Sequence, residues 1–240
     1  MMKKILLLIM LVLFLCGCGR SENEIIMVTE AGFAPYEYYE DGEIVGVDID
    51  IAKEIAKELG KELIIKDVAF DSIIHEIKTG KSDFGAAGIS YSEERAEQVM
   101  FSIDYAESKQ VVLVKNNSNI TDKNDIKNKK IAVQLGSVAD TYVTEKYKKA
   151  EIIRQKKYLA TIQDLEDGKV DCVVMDELPA QEILKTKENL KILPGYLVKD
   201  SYGIIVKKNN KDLIETINKV IKRMQEDGSL EESILRHTTK

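Results

Sequence analysis

Histidine and cysteine are scarce in this chain of 240 residues, and each scarcity excludes a class of protein. Two histidines, His75 and His237, and the absence of any CxxC pair leave no recognisable set of metal ligands. Only one of the three cysteines, Cys172, lies in the body of the chain, so an intramolecular disulfide framework is excluded. We expect Cys172, in the apolar run "VDCVVM", to be a buried and unreactive thiol. No metal and no cofactor are predicted.

Basic residues are in the minority. The 35 Lys and Arg against 41 Asp and Glu give a formal net charge of −6, which becomes −8 if Lys3 and Lys4 are removed with a leader. Binding to nucleic acid relies on clustered Lys and Arg that neutralise phosphates. The most basic stretch, "EKYKKAEIIRQKK", is interleaved with acids and is interpreted as a solvated face. The composition therefore disfavours a nucleic-acid partner.

The first residues have the pattern of an export signal. A basic start, "MMKK", precedes an unbroken apolar run from Ile5 to Leu15, which is too short to span a membrane comfortably. The "LCGC" that follows resembles the bacterial lipoprotein signal, which implies cleavage before Cys18 and attachment of a lipid to that cysteine. We therefore expect a signal peptide at 1–17, a tether at 18–23 and an extracytoplasmic, lipid-anchored protein. An ordinary signal peptide or a short anchor is the alternative.

Strand and helix patterns alternate along the rest of the chain. "IIMVT", "ELIIKDV" and "SDFGAAGI" predict strands, and "DIDIAKEIAKELG" and "FDSIIHEIKTG" predict the helices between them. The alternation resumes from "KIAVQ" to "VDCVVM", which indicates an α/β protein with mostly parallel sheets flanked by helices. "IKTGKSDFGAAGIS" and "LEDGKVDCVVMDE" share one layout, a helix end, Gly-Lys-x-Asp, an apolar strand and polar groups. This echo favours two similar lobes whose strand ends face a shared ligand space.

Two stretches are predicted to cross between the lobes. "ESKQVVLVKNNSNITDKNDIKNKK" is a strand pattern followed by a polar passage, and "LVKDSYGIIVKKNN" precedes a long C-terminal helix pattern. If the chain crosses twice, the first lobe is completed by the C-terminus. The boundaries that follow are 24–108 with 203–240 for lobe 1, and 109–202 with the hinge segments for lobe 2.

Arg95, in "GAAGISYSEERAEQ", has an unusual electrostatic position. Ser92 is predicted to cap a helix, and Glu93 and Glu94 suit the positive end of the helix dipole. Arg95 falls at the third helical position, where the same dipole disfavours a cation. From these residues alone, pairing with Glu94 or with solvent is the simpler interpretation.

Several ordered motifs identify a family. They are "VTEAGFAPYEYYEDGEIVGVDIDIAKEIAKELG", "AAGISYSEERAEQVMFSIDYAESKQVVLV", "IAVQLGS" and "VVMDELPA". From about Ile25 to the end the chain resembles the extracytoplasmic solute-binding proteins, family 3, of polar amino-acid ABC transporters, the family of glutamine-, histidine- and lysine/arginine-binding proteins. The resemblance implies the type II periplasmic-binding-protein fold, two lobes joined by two hinge strands. It also implies a monomer that traps an amino acid by cleft closure and delivers it to a permease, without catalysis.

The resemblance also implies how the ligand backbone is bound. Arg95 would bind the α-carboxylate as a bidentate fork. Gly88 and Ser90 would contact the ligand backbone through a carbonyl and a hydroxyl. Asp176, from the second lobe, would accept the ammonium group, because a buried acid needs a cationic partner. A helix N-cap for "ELPAQEIL" is the alternative role of Asp176.

The ligand side chain would be read by another five residues. Phe33 and Phe70 match the aromatics that flank it, although Phe70 also suits a core position. Glu30 stands where many relatives carry Asp, and Gln134 and Ser137 line the cleft from the second lobe. Two rings and an acid favour arginine or lysine, whereas Gln134 leaves glutamine or histidine open.

Two other functions stay open on the sequence alone. Some relatives are dehydratases that act on prephenate- or arogenate-like acids, and this chemistry needs a positioned proton donor or base. Glu30 is the only pocket carboxylate that has no assigned ammonium partner, and both histidines lie outside the pocket. The other alternative is a ligand-sensing module that feeds a receptor.

Overall fold

The computed structural model describes residues 21–238. The predicted signal peptide (1–17), the predicted lipidation site Cys18 and part of the predicted tether (18–23) lie outside these residues. Within the described part of the chain, no helix combines the length and the apolarity needed to cross a bilayer.

Thirteen β-strands lie within residues 21–238, and most of them are short. They are β1 (Glu24–Thr29), β2 (Tyr38–Glu40), β3 (Glu43–Val45), β4 (Glu62–Asp67), β5 (Phe84–Gly85), β6 (Val99–Phe101), β7 (Ala106–Lys115), β8 (Lys130–Gln134), β9 (Glu151–Gln155), β10 (Cys172–Asp176), β11 (Leu190–Ile192), β12 (Val198–Tyr202) and β13 (Ile205–Lys207).

Eight α-helices and two 3₁₀ turns, Phe70–Ser72 and Lys123–Asn128, lie within the same residues. The helices are α1 (Val47–Leu59), α2 (Ile73–Thr79), α3 (Glu93–Gln98), α4 (Val138–Lys146), α5 (Tyr158–Glu166), α6 (Glu177–Leu184), α7 (Lys211–Glu226) and α8 (Ser229–Thr238).

The strands form two main sheets. The first has the order β4-β1-β5-β13-β6, and the second has the order β11-β7-β10-β8-β9 with β12 also paired to β7. In the first sheet β1 runs parallel to β4 and β5, and in the second β8 runs parallel to β9 and β10. The sheets are mixed, because β7 and β13 join them antiparallel. The parallel pairs come from the β-α-β units that the alternating pattern predicts.

The two predicted crossings are neighbouring strands. β7 and β12 pair antiparallel from Gln110 with Val198 to Ala106 with Tyr202. Beyond this pair, two residues separate Tyr202 from Ile205, where the chain enters β13 of the first sheet. The exact lobe boundaries, 24–108 with 203–240 and 109–202, stay a prediction.

The helices form where apolar residues recur at helical spacing. α1 buries Val47, Ile51 and Ile55 on one face, which packs against α7. It ends at Gly60, whose left-handed φ of 63° allows its N–H to bond the carbonyl of Ala56. Repeated apolar faces of this kind hold the helices on the sheets.

The strand predicted over "SDFGAAGI" is much shorter in the structure. Only Phe84 and Gly85 join the ladder, and the chain then turns away through Gly88, which has a φ of 53°. This departure carries Gly88 and Ser90 from the sheet edge to the space between the sheets. Cys172 is buried as expected, and burial raises the pKa of its thiol to about 12.

Candidate functional site

A narrow enclosed cavity of about 20 Å³ lies where strand ends of the two sheets meet. Glu30 directly follows β1, Gln134 ends β8 and Asp176 ends β10, so both sheets contribute walls. All nine residues that the resemblance assigns to ligand binding line this one cavity: Glu30, Phe33, Phe70, Gly88, Ser90, Arg95, Gln134, Ser137 and Asp176. The other lining residues, which the sequence reasoning missed, are Glu37, Ala87, Gln110 and Val138.

Two larger grooves, of about 710 and 660 Å³, are open surface features. One follows the crossing strands β7 and β12, and the other runs along the outer side of Arg95. The small cavity is the better candidate, because buried charged groups from both sheets converge in it. Glu30 is 2% exposed there and Asp176 is 7% exposed.

Arg95 bridges the two sides of the cavity. It lies in α3, whose N-cap is the predicted Ser92, and its Nη1 donates to the carbonyl of Ser90 at 2.5 Å. Its Nη2 donates to the carbonyl of Gly136 at 2.8 Å. The ion pairs of the described residues include none with Arg95, so the simple pairing with Glu94 is not formed. The guanidinium is thus held in place by neutral acceptors, and burial lowers the pKa of Arg95.

Asp176 is buried in a cluster of donors. Its Oδ1 accepts hydrogen bonds from Ser108 Oγ at 2.6 Å, from Gln110 Nε2 at 2.7 Å and from the Tyr202 hydroxyl. Burial, and then the charge of Asp200, raises the pKa of Asp176 to about 6, against the effect of the three donors. Asp176 does occupy the N-cap position of α6, but its side chain makes no capping bond. The three donors therefore hold the Asp176 carboxylate at the cavity wall, and it does not cap the helix.

Asp200 is a second acid near Asp176 that the sequence reasoning missed; it lines the two larger grooves and not the cavity itself. Its Oδ2 accepts a hydrogen bond from Ser90 Oγ at 2.6 Å, and its Oδ1 is buried with no hydrogen-bond partner among the described residues. Burial raises the pKa of Asp200, while Ser90, Gln110 and Arg95 act in the opposite direction. Ser90 is therefore shared between Asp200, through its hydroxyl, and Arg95, through its carbonyl.

Glu30 forms a separate cluster. Its Oε2 accepts a hydrogen bond from Gln134 Nε2 at 3.0 Å, and its Oε1 lies 3.3 Å from Lys157 Nζ. Lys157 also bonds Asp67 Oδ1 at 2.6 Å. Burial raises the pKa of Glu30, and Lys157 is the largest opposing influence. The interpretation of "EKYKKAEIIRQKK" as only a solvated face is wrong for Lys157, because the fold brings its ammonium to two carboxylates of the other sheet.

Phe33 is fixed by rings and by a glycine. It packs edge-on against Tyr158, with ring centroids 4.8 Å apart, and lies beside Tyr36. A Cβ atom at Gly88 would lie 2.6 Å from a ring carbon of Phe33, which is too close for any side chain. Only glycine fits this position, because its φ of 53° also belongs to the left-handed region.

Phe70 serves both of the roles that the sequence left open. It is half-buried and packs against a small apolar cluster that contains Ile73 and Ile77. It also lines the cavity, and the guanidinium of Arg95 lies 5.5 Å from its ring centroid. A cation above an aromatic face at this distance is attracted by the ring.

Ser137 contributes mainly to a helix. Its Oγ accepts a hydrogen bond from the Asp140 N–H at 3.2 Å, and this caps α4. The preceding Gly136 offers its carbonyl to Arg95. The "VQLGS" turn therefore contributes backbone as well as side chains to the cavity.

A buried acid pair supports the floor of the cavity. Glu37 is 1% exposed and Asp48 is fully buried, and the N–H of Gly88 donates to Asp48 Oδ2 at 3.1 Å. Burial raises the pKa of Asp48 to about 6. Burial, together with the charge of Asp48, raises the pKa of Glu37 well above its usual value. Of the two acids, Glu37 is therefore the one that keeps a proton. The bond from Gly88 to Asp48 holds the turn that shapes the cavity, and Glu37 lines the cavity.

Comparison with known proteins gives consistent matches over nearly the whole chain. The sequence profile of the bacterial extracellular solute-binding proteins, family 3, matches residues 25–239. The arginine-binding extracellular protein ArtP of Bacillus subtilis (strain 168) is 29% identical over 96% of both chains. ABC transporter arginine-binding protein 1 of Escherichia coli (strain K12) is 30% identical over 95% of this chain and 96% of that protein.

A solved structure extends the match to three dimensions. The amino acid ABC transporter substrate-binding protein AbpA from Streptococcus pneumoniae, bound to L-arginine, is 31% identical with a TM-score of 0.87, over 91% of this chain and 95% of that one. The predicted two-lobed α/β architecture of the type II binding proteins is confirmed.

Proposed function

This chain belongs to the bacterial extracellular solute-binding proteins, family 3, and we propose that it binds an L-amino acid with a cationic side chain, arginine or lysine, and delivers it to an ABC permease. The observation that carries the proposal is the convergence of Arg95, Asp176 and Glu30 on one cavity. These three groups complement the carboxylate, the ammonium group and the side chain of such a ligand. Arginine is also the ligand named for the two curated relatives and for the solved structure.

Arg95 is suited to the α-carboxylate. Its two Nη groups now donate to the neutral carbonyls of Ser90 and Gly136. A carboxylate is a stronger acceptor, because charge-assisted hydrogen bonds are roughly twice as strong as neutral ones. The ligand would therefore displace these carbonyls, while Asp176, from the other sheet, accepts its ammonium group.

The cluster around Glu30 favours a cationic side chain. Glu30 and Asp67 carry two negative charges and Lys157 carries one positive charge, so one negative charge is left for the ligand. Phe33 and Phe70 would add cation–π attraction worth roughly 0.5–2 kcal/mol each. Glutamine or histidine is the second candidate, because the Gln134 amide can bond a neutral polar group.

Closure of the lobes would trap the ligand. Contacts between the sheets are already made by Arg95 with Gly136, by Gln134 with Glu30 and by Lys157 with Asp67. A cavity of about 20 Å³ is smaller than an amino acid, so the lobes must separate for entry. The ligand would then shift the equilibrium towards the closed form by its greater affinity for that form.

The family supports the location outside the cytoplasm, and the "LCGC" pattern supports the lipid. We place the protein outside the cytoplasm, held at the membrane by a lipid on Cys18, as a monomer that meets its permease there. A sensing role would need the same cavity and a different partner, and genome neighbours that encode a permease and an ATPase would distinguish the two.

An enzyme on this fold is the less favoured alternative. Dehydration of a prephenate- or arogenate-like acid needs an unoccupied acid or base, whereas Glu30 is already paired with Lys157 and Gln134. Product formation from such an acid by the purified protein would overturn the assignment as a binding protein.

A thermal-shift screen of the purified mature protein against all amino acids tests the proposal. A ligand at a hundred times its dissociation constant should stabilise the fold by roughly 2.7 kcal/mol. For a domain of this size, this corresponds to a rise in Tm of about 5–11 °C. The largest shift is expected with arginine or lysine, and the absence of a shift with every amino acid would refute the proposal.

A further inference from the structure

Lys157 connects the two sheets at the acid cluster of the cavity. It occupies the N-cap position of α5, on the second sheet, and its Nζ reaches Glu30 and Asp67, which follow and end strands of the first sheet. The distances are 3.3 Å to Glu30 Oε1 and 2.6 Å to Asp67 Oδ1. The pairing can therefore form only when the sheets are close together.

Lys157 contacts Glu30 from outside the cavity. Gln134, which lines the cavity, donates to Oε2 of Glu30, whereas Lys157 lies by Oε1 and is not among the lining residues. The Glu30 side chain is 3% exposed, and that of Lys157 is 44% exposed. The ammonium can therefore reduce the negative potential that a ligand meets without touching the ligand.

We propose that Lys157 sets the charge selectivity of the site by partly neutralising Glu30 from outside the cavity. The affinity for a cationic ligand then exceeds that for a neutral ligand of equal size by a smaller factor than if Glu30 acted alone. The inference rests on the proposed amino-acid binding. Lys157 is a positioning residue, which acts on the ligand through Glu30.

The charge balance of the cluster gives an order that can be tested. With Lys157 present, Glu30 and Asp67 leave a net charge of −1. Lys157→Met leaves −2, and Asp67→Asn leaves 0. Preference for a cationic ligand should therefore rise in the first variant and fall in the second.

Lys157 also holds the sheets together, and this second effect must be separated from the first. Loss of the ion pair would disfavour the closed form and weaken every ligand by the same factor. The ratio of two affinities cancels that factor, whereas the charge effect acts on the cationic ligand alone. A ratio therefore reports on selectivity in a way that a purely structural role of Lys157 would not change.

The experiment compares L-arginine with L-citrulline, which has nearly the same size but a neutral ureido group. Dissociation constants are measured by calorimetry at pH 8 for the wild type and four variants. In Lys157→Met we expect the citrulline-to-arginine ratio of Kd to rise about tenfold, equivalent to about 1.4 kcal/mol. In Asp67→Asn it should fall, and Lys157→Arg should restore the wild-type ratio.

Lys156→Met is the matched control, because it removes the same charge from the exposed neighbouring residue. Its ratio should stay within a factor of two of the wild type. An unchanged ratio in Lys157→Met, or an equal change in Lys156→Met, would overturn the inference. If Lys157→Met does not fold, Lys157→Gln, which removes the same charge, is measured in its place, and its ratio decides. A wild type that binds no amino acid would overturn the proposed function itself, which is a distinguishable result.

Discussion

Replacing Glu37 with glutamine tests the proton that the buried acid pair holds beneath the cavity. Glu37 is 1% exposed, and burial beside Asp48 raises its pKa well above the usual value. The folded protein therefore retains a proton that the unfolded chain has released. A raised pKa means stability that is complete below the unfolded-state pKa and is lost as the pH rises towards the folded-state pKa.

The size of this loss follows from proton linkage. Wherever the folded state keeps this one proton and the unfolded state does not, the free energy of unfolding falls by about 1.4 kcal/mol per pH unit. Glutamine has nearly the same shape and can still donate to Asp48, but it does not titrate. For each pH unit over which the folded protein still keeps the proton, the variant should therefore avoid a loss of about 1.4 kcal/mol. That difference corresponds to about 3–6 °C in Tm for a domain of this size.

The assay is the Tm or the urea midpoint of the wild type and Glu37→Gln, measured between pH 5 and pH 8. Glu43→Gln, at an exposed position of β3, is the matched control and should follow the wild type. Asp48, Asp176 and Asp200 also have raised pKa values, so the wild type should lose stability for several reasons. The difference between wild type and variant isolates Glu37. Parallel pH profiles for the two proteins would refute the proton assignment.

Three further predictions concern the ligand and the membrane. Arg95→Ala should weaken amino-acid binding at least a hundredfold, about 2.7 kcal/mol, while the free protein keeps its fold; an unchanged affinity by calorimetry would exclude Arg95 as the carboxylate ligand. Glu30→Gln should weaken L-arginine at least tenfold more than L-citrulline, because only the former needs a counter-charge; equal losses would contradict the reading of the side chain by Glu30. Cys18→Ser should move the protein from the membrane fraction to the soluble fraction, and continued membrane association would exclude a lipid on Cys18.

The sequence predicts best those features that depend on local pattern. The apolar spacing and terminal glycine of α1 give its bounds closely, and Ser92 is found at the N-cap where its neighbours predict it. The predicted strand over "SDFGAAGI" was too long, because the residues "GAAGI" do not indicate that the chain leaves the sheet at Gly88. Periodicity reports which residues can form an element, but the end of a ladder depends on the partner strand.

The missed site residues have a common physical reason. Gln110 and Asp200 lie on the two crossing strands. The Gln110 amide donates to both Asp176 and Asp200 because β7, β10 and β12 pair in one register. Lys157 lies in a run of charged residues that is expected to face solvent. It gains two acidic partners only because the fold brings the other sheet close to it. Such juxtapositions of distant residues leave no mark in local composition. The nine residues carried over from the family all line the cavity. Gln110 and Glu37 lie within the same motifs and were not assigned, because a motif does not say which of its residues face the cavity.

The groups proposed for the ligand already hold the two sheets together. Arg95 bonds a carbonyl of each side, and Gln134 bonds Glu30 across the gap. A ligand must therefore replace these contacts rather than add to them. The net gain per bond is the difference in free energy between the new bond to the ligand and the bond that it replaces. Neutral hydrogen bonds contribute about 0.5–1.5 kcal/mol and those to charged groups about 1.5–3 kcal/mol. The exchange of carbonyls for a carboxylate at Arg95 thus favours the ligand by about 1 kcal/mol per bond. If Arg95 binds the carboxylate as proposed, a ligand without a carboxylate would gain nothing over the carbonyls that Arg95 already binds.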